Sequence, residues 1–564
     1  MEALDWIVIG AFALALIGII VWVVKQKQND SADYFLGGRD ATWIAIGASI
    51  FASNIGSEHL IGLAGAGASS GMAMAHWEIQ GWMILILGWV FVPFYTRSMV
   101  YTMPEFLERR YNPQSRTILS VISLVSYVLT KVAVTVYAGG LVFQQVFGIK
   151  ELWGIDFFWI AAIGLVVLTA LYTIFGGMKS VLYTSVLQTP ILLLGSLIIL
   201  VLGFKELGGW DEMMRVCGAV TVNDYGDTMT NLIRSNDDAN FPWLGALIGS
   251  AIIGFWYWCT DQFIVQRVLS GKNEMEARRG TIFGAYLKLL PVFLFLIPGM
   301  IAFALHQKYI GAGGEGFLPI LENGTANADA AFPTLVAKLL PAGVKGLVVC
   351  GILAALMSSL ASLFNSSAML FTIDFYKRFR PQTSEKKLVG IGQVATVVIV
   401  ILGILWIPIM RSVGDVLYTY LQDVQSVLAP GIAAAFLLGI CWKRTSAQGG
   451  MWGLISGMVI GLTRLGAKVY YSNAGEVADS TFKYLFYDMN WLFFCGWMFL
   501  FCIIVVIVVS LATEAPTAEK IQGLVFGTAT KEQKASTRAS WNHWDIIHTV
   551  IILAITGAFY WYFW

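Results

Sequence analysis

The chain has 564 residues, of which 57% are hydrophobic and 13% are Asp, Glu, Lys or Arg. Soluble domains carry about 25% charged residues, roughly twice this share, and a net charge of +1 gives no reason to expect a nucleic-acid partner. Runs of about 20 apolar residues recur, each long enough to cross a hydrocarbon layer of about 30 Å. The composition therefore predicts an all-α polytopic membrane protein embedded in a lipid bilayer.

The apolar runs, taken in chain order, predict about fourteen transmembrane helices. They lie near residues 5–24, 41–71, 77–96, 117–147, 157–176, 184–204, 242–266, 281–304, 343–372, 388–410, 414–441, 450–468, 488–511 and 546–564. An even number of spans places both termini on one side of the membrane. No low-complexity tract or appended soluble domain is visible in the sequence, which argues against a fused kinase or nucleotide-binding module.

The distribution of Lys and Arg predicts the orientation of these spans. Most basic residues fall in loops after odd-numbered spans, beginning with Lys25 and Arg39 and continuing with the cluster from Arg97 to Arg116. The long loop 205–240, on the other side, is more acidic than basic. The positive-inside rule then places both termini outside the cytoplasm, in the plasma membrane or a bacterial inner membrane.

Two of the spans contain stretches that weaken a helix. The segment ASNIGSEHLIGLAGAGASSG, residues 52–71, predicts an interruption near Ser53–Gly56, and the seventh span predicts another near Gly254. Irregular backbone at membrane depth persists only against protein or a water-filled cavity. Two broken helices about five spans apart indicate a 5+5 inverted-repeat transporter with a mid-membrane site. The alternative is that the glycines only allow close helix packing.

The ninth span carries a stripe of small polar residues. Ala355, Ser358, Ser359 and Ser362 follow the i, i+3, i+4, i+7 spacing of one helix face. Hydroxyls combined with carbonyls freed at a helix break are hard oxygen ligands, which suit a cation such as sodium. Serines hydrogen-bonded to carbonyls of their own helix would give the same pattern, so spacing alone leaves both interpretations open.

Ionisable residues within the spans are candidate functional groups, because each is costly to leave unpaired in a bilayer. They are Glu58, His59, Glu78, Lys131, Asp261, Lys288, Asp423 and Arg464. The aromatic run of Trp256, Tyr257 and Trp258 follows the second predicted interruption. Aromatic faces beside carboxylate, amide and ammonium groups suit the C–H face and hydroxyl edge of a sugar, although the same rings could belong to the core.

Several blocks of the sequence carry a resemblance to a known family. They are DYFLGGRDATWIAIGASIFASNIGSEHLIGLAG, YTMPEFLERRY, GFWYWCTDQFIVQR, MSSLASLFNSSAMLFTIDFY and APGIAAAFLLGICWKRT. In this order and spacing, from about residue 30 to 465, they resemble the sodium/solute symporter family, and most closely its sodium/glucose and sodium/myo-inositol branch.

The resemblance implies a leucine-transporter-type core of ten helices, formed here by spans two to eleven. Residues 1–40 would hold a peripheral N-terminal helix and a cytoplasmic loop, and residues 41–240 the first five-helix repeat with an external loop. Residues 241–445 would form the inverted second repeat, and residues 446–564 the peripheral C-terminal helices.

The family's sodium site falls, by matching blocks, on the carbonyls of Ala52, Ile55 and Ala355 and the hydroxyls of Ser358 and Ser359. The resemblance also implies a sugar site. It falls on Asn54, His59, Glu78, Tyr257, Trp258, Lys288 and Gln422. Tyr257 would stack on the sugar ring as the inner gate, and the outer gate is expected at Leu63, Trp77 and Tyr418.

The sequence departs from the family pattern at a few of these positions. His59 looks like the residue of animal glucose transporters, whereas Gly254 and Gly81 stand where a galactose-transporting bacterial relative has asparagine and serine. Two sugar hydrogen bonds of that relative are therefore expected to be missing. Ser185 replaces an aspartate that sugar members usually carry, which favours one sodium per sugar.

The predicted function is sodium-driven import of a hexose, such as glucose, galactose or mannose, by alternating access. The first alternative is a symporter for myo-inositol or another polyol. A proton-coupled carrier with His59 or Glu78 titrating, and a membrane sugar sensor, are further alternatives. An enzyme is not expected, because no serine, cysteine or metal-ligand constellation has a catalytic arrangement. The oligomeric state stays open.

Overall fold

The computed structural model describes residues 1–26, 30–56, 58–321, 324–411, 417–473 and 478–564, and within these ranges it is mostly helical. The helices of the first half are α1 (Ala3–Lys25), α2 (Ser31–Leu36), α3 (Trp43–Asn54), α4 (Ala64–Ser70), α5 (Ala75–Glu78), α6 (Gly81–Ile86), α7 (Val92–Ser98), α8 (Met103–Arg110), α9 (Pro113–Ser126), α10 (Ala133–Phe147), α11 (Phe157–Leu207), α12 (Trp210–Gly218) and α13 (Trp243–Gly254).

The described residues of the second half are mostly helical as well. Its helices are α14 (Gln262–Leu269), α15 (Glu274–Lys288), α16 (Ile297–Gly311), α17 (Ala331–Leu339), α18 (Val344–Met369), α19 (Lys377–Phe379), α20 (Glu385–Arg411), α21 (Leu417–Cys441), α22 (Ala447–Asn473), α23 (Thr481–Lys483), α24 (Trp491–Ala512), α25 (Ala518–Ile521), α26 (Lys531–Ala539) and α27 (His543–Tyr562).

Short π-helical and 3₁₀-helical segments connect many of these helices. The π-helical segments are Glu58–Leu63, Leu87–Phe91, Tyr127–Val132, Phe255–Thr260, Val292–Leu296, Leu370–Tyr376 and Tyr484–Asp488. The 3₁₀ segments are Gly37–Arg39, Gly71–Met74 and Ala328–Ala330. One small antiparallel hairpin pairs β1 (Glu151–Leu152) with β2 (Ile155–Asp156).

Ten helical ranges among the described residues are long and apolar enough to cross a membrane. Some of them are longer than one crossing needs, since about 20 residues span the hydrocarbon core. The 51 residues of α11 bend at Gly177, where φ is +52° and a Cβ atom would collide with the backbone of Tyr34. The predicted spans 157–176 and 184–204 lie on the two sides of this bend.

The packing brings α3, α11 and α18 together in the buried interior. Gly351 of α18 lies where a Cβ atom would be 3.3 Å from the Cα atom of Leu192, which shows how closely α18 approaches α11. Thr189 of α11 in turn donates a hydrogen bond to the carbonyl of Ala48 in α3. The stripe of serines predicted on the ninth span therefore lies at the centre of the molecule, against the first interrupted helix.

Each end of the chain contacts a long loop. Near the N-terminus, Asp5 accepts hydrogen bonds of 2.7 and 2.8 Å from the backbone of Gly343 and Gly346, at the start of α18. Near the C-terminus, the carbonyl of Phe563 accepts a 3.0 Å hydrogen bond from the backbone of Leu232. Both chain ends therefore meet the long loops that connect α11 to α13 and α16 to α18.

Candidate functional site

The first predicted interruption is present in the structure. Helix α3 ends at Asn54, Ile55 adopts an extended conformation with φ −81° and ψ 102°, and a π-helical segment begins at Glu58. A Cβ atom on Gly56 would lie 2.8 Å from the hydroxyl of Ser359 and would collide with the Glu58 carboxylate. The glycine therefore lets the non-helical segment after α3 approach α18 closely.

The second interruption lies further along the chain than the sequence predicts. The expectation of a break near Gly254 is wrong, because this residue is helical, with φ −62° and ψ −40°. The helix continues through Phe255–Thr260 and ends at Asp261, which is extended with ψ 127°. The Asp261 carboxylate accepts a 3.2 Å hydrogen bond from the backbone of Phe263 and so caps α14.

The residues predicted to bind sodium lie around the first break. The Ser359 hydroxyl donates to the carbonyls of Ser53, at 2.9 Å, and Ile55, at 3.3 Å. The Ser358 hydroxyl lies 3.3 Å from that of Ser185 in α11. Ala52 and Ala355 are buried in the same two helices, α3 and α18. The structure thus brings carbonyl and hydroxyl oxygens together at the break. Here the Ser359 hydroxyl donates to these carbonyls, and an ion bound between the oxygens would replace those hydrogen bonds.

A cavity opens beside this break. It is lined by Asn54, Glu58, His59, Trp77, Glu78, Gln80, Lys131, Val134, Thr135, Ile253, Gly254, Tyr257, Trp258, Phe263, Lys288, Ser359, Leu363, Gln422 and Gln425. All of the residues predicted to contact the sugar are among them. Ser359 also lines the cavity, so the predicted cation site and the predicted sugar site adjoin.

A network of polar side chains crosses the cavity. The ammonium of Lys288 donates to Glu78 Oε2 at 2.6 Å and to Asn54 Oδ1 at 3.1 Å. Asn54 Nδ2 donates to the Tyr257 hydroxyl at 3.1 Å, and His59 Nε2 lies 3.2 Å from Glu78 Oε2. These groups offer both donors and acceptors at buried positions, which is the chemistry that a ligand rich in hydroxyls requires.

Gln422 and Trp258 extend this set of polar and aromatic groups. The Gln422 Oε1 atom is buried and has no hydrogen-bond partner among the described residues, so it is open to a ligand donor. The Lys288 ammonium lies 5.3 Å from the ring centroid of Trp258, which packs edge-on against Tyr257. An aromatic wall therefore stands beside the charged groups, as the sequence predicts.

The predicted outer-gate residues occupy different positions. Trp77 lines the cavity and also packs against Phe241, at a centroid distance of 6.2 Å, and against Trp491 of α24, at 5.5 Å. Leu63 is fully buried but is not among the residues that line the cavity. The side chain of Tyr418 lies outside the described residues. Trp491 was not predicted from the sequence, and it belongs to a helix beyond the expected ten-helix core.

A second charged cluster lies at the other break. Lys131 Nζ donates to Asp261 Oδ2 at 2.6 Å, and the Tyr127 hydroxyl donates to the other carboxylate oxygen. The same ammonium lies 4.7 Å from the ring centroid of Tyr257. This arrangement gives Asp261 a basic partner within the protein and holds the start of α14 against the π-helical segment Tyr127–Val132.

Sequence reasoning missed several polar residues of the cavity wall. Gln80, Thr135 and Gln425 line the cavity, but no charge marks them in the sequence. Gln425 could have been found from its helical spacing to Gln422. Gly81, expected to mark a missing sugar contact, faces α15 instead, since a Cβ atom there would lie 2.8 Å from the carbonyl of Ala285.

Comparisons with known proteins identify the family of the chain. The model of the "Sodium:solute symporter family" matches residues 34–457. The chain is 37% identical over 542 residues to the human "Sodium/myo-inositol cotransporter 2", covering 94% of this chain and 79% of the relative. It is also 37% identical over 551 residues to the "Sodium/myo-inositol cotransporter" of Canis lupus familiaris, covering 93% and 76%.

A solved structure shares the fold. It is described as "Substrate-bound outward-open state of a Na+-coupled sialic acid symporter reveals a novel Na+-site", and it matches with a TM-score of 0.72 and 22% identity over 92% of this chain and 99% of its own. Together with the match over most of the chain, these findings establish the class of protein. The chain belongs to the sodium:solute symporter family, whose members are membrane transporters that carry a solute together with sodium rather than enzymes.

Proposed function

We propose that this protein imports myo-inositol, or a closely related cyclic polyol, with sodium as the co-transported ion. The observation that carries the proposal is the cavity at the first break, in which the polar network of Lys288, Glu78 and Asn54 adjoins the Ser359 hydroxyl. The myo-inositol cotransporters to which the chain is similar support the polyol more than the hexose that we expected from sequence.

The chemistry of the cavity supports a polyol. A cyclohexane ring with hydroxyls at every carbon needs hydrogen-bond donors and acceptors around its edge and an apolar surface on its face. Lys288 supplies donors, and Glu78 and Gln422 supply acceptors. Tyr257 and Trp258 supply the aromatic surface, so Asn54, His59, Glu78, Tyr257, Trp258, Lys288 and Gln422 form the proposed substrate site.

The proposed sodium site uses the carbonyls of Ala52, Ile55 and Ala355 and the hydroxyls of Ser358 and Ser359. Helix α3 ends at Asn54, next to Ile55, so one short segment would contact both the ion and the polyol. Each ligand would then favour the same conformation, which is a physical basis for coupling. A membrane potential adds about 2.3 kcal/mol per 100 mV for each sodium that enters.

The proposed architecture has about fourteen spans, with a 5+5 inverted-repeat core beginning at α3 and α13. The interruptions after Asn54 and at Asp261 support it, because each separates two helical segments of the first span in its repeat. The loops rich in Lys and Arg would face the cytoplasm, which leaves both termini outside it.

Uptake into proteoliposomes tests the proposal. Labelled myo-inositol, glucose, galactose and mannose are each supplied with an inward sodium gradient, with potassium in place of sodium, and with a pH gradient alone. We expect myo-inositol to accumulate only with sodium. Accumulation of a hexose instead would overturn the substrate, accumulation driven by the pH gradient alone would overturn sodium coupling, and binding without accumulation would indicate a sensor.

A further inference from the structure

We infer that Gln80 is a substrate-contacting residue, and that its amide oxygen, held against Gly254, accepts a hydrogen bond from one hydroxyl of the polyol. This inference rests on the proposed function and adds a residue that helps to set substrate specificity. Gln80 follows α5 and packs against α13 in the wall of the cavity, with only 3% of its surface exposed. Three features of its surroundings carry the argument.

The first feature is the absence of a side chain at Gly254. The backbone of this residue has ordinary right-handed helical angles, so the conformation itself does not require glycine. A Cβ atom there would lie 2.9 Å from Cδ of Gln80 and 3.1 Å from its Nε2, and would collide with its Oε1. The glycine therefore makes room for the Gln80 amide, which occupies the space that a side chain at position 254 would fill.

The second feature is the anchor of the amide. Gln80 Nε2 donates a 2.8 Å hydrogen bond to the backbone carbonyl of Ser250, one helical turn before Gly254. Because this bond and the contact with Gly254 fix the amide plane, the amide nitrogen and oxygen have distinct positions. A fixed acceptor discriminates between hydroxyl positions of a ring better than a mobile one, since its direction is set before the ligand binds.

The third feature is the open acceptor. Gln80 lines the cavity, and no hydrogen bond to its Oε1 is present among the described residues. An acceptor that lines a cavity can take a hydrogen bond from a ligand donor, and a polyol hydroxyl is such a donor. Glu78 and Gln422, two further acceptors of the cavity, lie on α5 and α21, whereas Gln80 supplies an acceptor next to α13.

Kinetics of the full-length protein in proteoliposomes test the inference. Gln80→Ala should raise the KM for myo-inositol about tenfold, because a tenfold change in affinity corresponds to the free energy of about one hydrogen bond. The sodium concentration for half-maximal uptake, measured at saturating myo-inositol, should change less than twofold. Gln393→Ala is the matched control, because Gln393 also donates from its amide to a backbone carbonyl, that of Ile174, but lies away from the cavity.

A series of monodeoxy-inositols distinguishes substrate contact from a structural role. In the unaltered protein, one of these analogues should bind about tenfold more weakly than myo-inositol because it lacks the hydroxyl that Gln80 accepts. In Gln80→Ala, that analogue and myo-inositol should have equal KM values. A uniform loss across the whole series would overturn the inference, since a packing defect does not depend on a single hydroxyl.

Moving the amide from position 80 to position 254 on α13 provides a second test. Gly254→Asn alone should impair uptake more than Gln80→Ala, because the new side chain collides with the Gln80 amide. Combining Gln80→Ala with Gly254→Asn should restore uptake above that of Gly254→Asn alone. An unchanged KM in Gln80→Ala, with sodium-driven uptake intact, overturns this inference only, whereas no sodium-driven uptake by the unaltered protein overturns the proposed function.

Discussion

Two helices are each interrupted at one extended residue, and different side chains contact the backbone at the two breaks. At each break one residue is extended, Ile55 in the first and Asp261 in the second. At the first break the freed carbonyls of Ser53 and Ile55 receive the neutral Ser359 hydroxyl. At the second break a carboxylate is present, and it is bound by the ammonium of Lys131 within the protein.

This difference indicates which break can receive a mobile cation. The second break already holds a positive charge supplied by the chain, at 2.6 Å from the carboxylate and in a buried setting. At the first break the Ser53 and Ile55 carbonyls are contacted by the Ser359 hydroxyl, whose hydrogen can rotate away so that its oxygen becomes a ligand. The Glu58 carboxylate lies against Gly56 at the same break. The comparison therefore favours one sodium for each substrate molecule, bound at the first break.

The largest expected effect comes from removing the carboxylate at the second break. Asp261→Asn leaves the Lys131 ammonium buried without its charged partner, which typically costs about 3–5 kcal/mol of folding free energy. We expect a clear fall in the thermal unfolding temperature of the purified protein in detergent. The double variant Lys131→Met with Asp261→Leu should recover much of that loss, because it removes both charges.

A pair at the surface provides the control for this experiment. Lys377→Met breaks the ion pair of Lys377 with Glu385, whose side chains are 35% and 44% exposed, and such pairs contribute about 0–1 kcal/mol. Its unfolding temperature should therefore stay close to that of the unaltered protein. An Asp261→Asn variant as stable as this control would show that Lys131 is not held by the carboxylate, and the contrast between the breaks would fail.

A smaller but more specific effect is expected at the first break. Ser359→Ala removes the hydroxyl that contacts the Ser53 and Ile55 carbonyls, so the sodium concentration for half-maximal uptake should rise about tenfold or more. Expression should remain normal. Ser367→Ala is the control on the same helix, since the Ser367 hydroxyl is buried and has no partner among the described residues. Equal sodium activation in both variants would remove Ser359 from the proposed site.

The sequence was most informative where a pattern is local. Apolar runs predicted the helical membrane fold, and weak helix-forming residues predicted the break after Asn54. The position of the second break was not predictable in this way. Phe255–Thr260 looks like any aromatic helical segment in sequence, and only the packed structure shows that it widens into a π-helical turn and ends at Asp261. The Asp261 carboxylate at this helix end is bound by Lys131 and Tyr127, which are distant in the sequence.

The candidate site shows the same difference between features that a local sequence pattern predicts and features that depend on long-range contacts. The sugar-site residues carried over by resemblance all line one cavity, together with Trp77 and Ser359. The other carried-over residues that the structure describes do not line it; they are Ala52, Ile55, Leu63, Ala355 and Ser358. The Tyr418 side chain is not described. Gln80 was missed because its role depends on a contact with Gly254, far away in the chain. A glycine in sequence gives no sign of whether it serves a turn, a close helix contact or the amide of another residue.

The smallest expected effect concerns Ser185, which lies beside the first break. Its hydroxyl donates a 2.6 Å hydrogen bond to the Val181 carbonyl of its own helix and lies 3.3 Å from the Ser358 hydroxyl. Ser185→Ala leaves the Val181 carbonyl its helical partner, so the sodium concentration for half-maximal uptake should change less than about twofold. Measuring sodium activation of uptake checks this directly.

The complementary variant, Ser185→Asp, places a carboxylate beside Ser358. Among the described residues no Lys or Arg side chain pairs with Ser185 or Ser358, whereas Asp261 at the second break is paired with Lys131. If a cation binds at a carboxylate that is not already paired with a lysine, this variant should bind a second sodium. The Hill coefficient for sodium should then rise from about 1 toward about 2. A strong loss of activation in Ser185→Ala would instead mean that the cation site of the unaltered protein already extends into α11, and that a neutral hydroxyl pair there binds sodium.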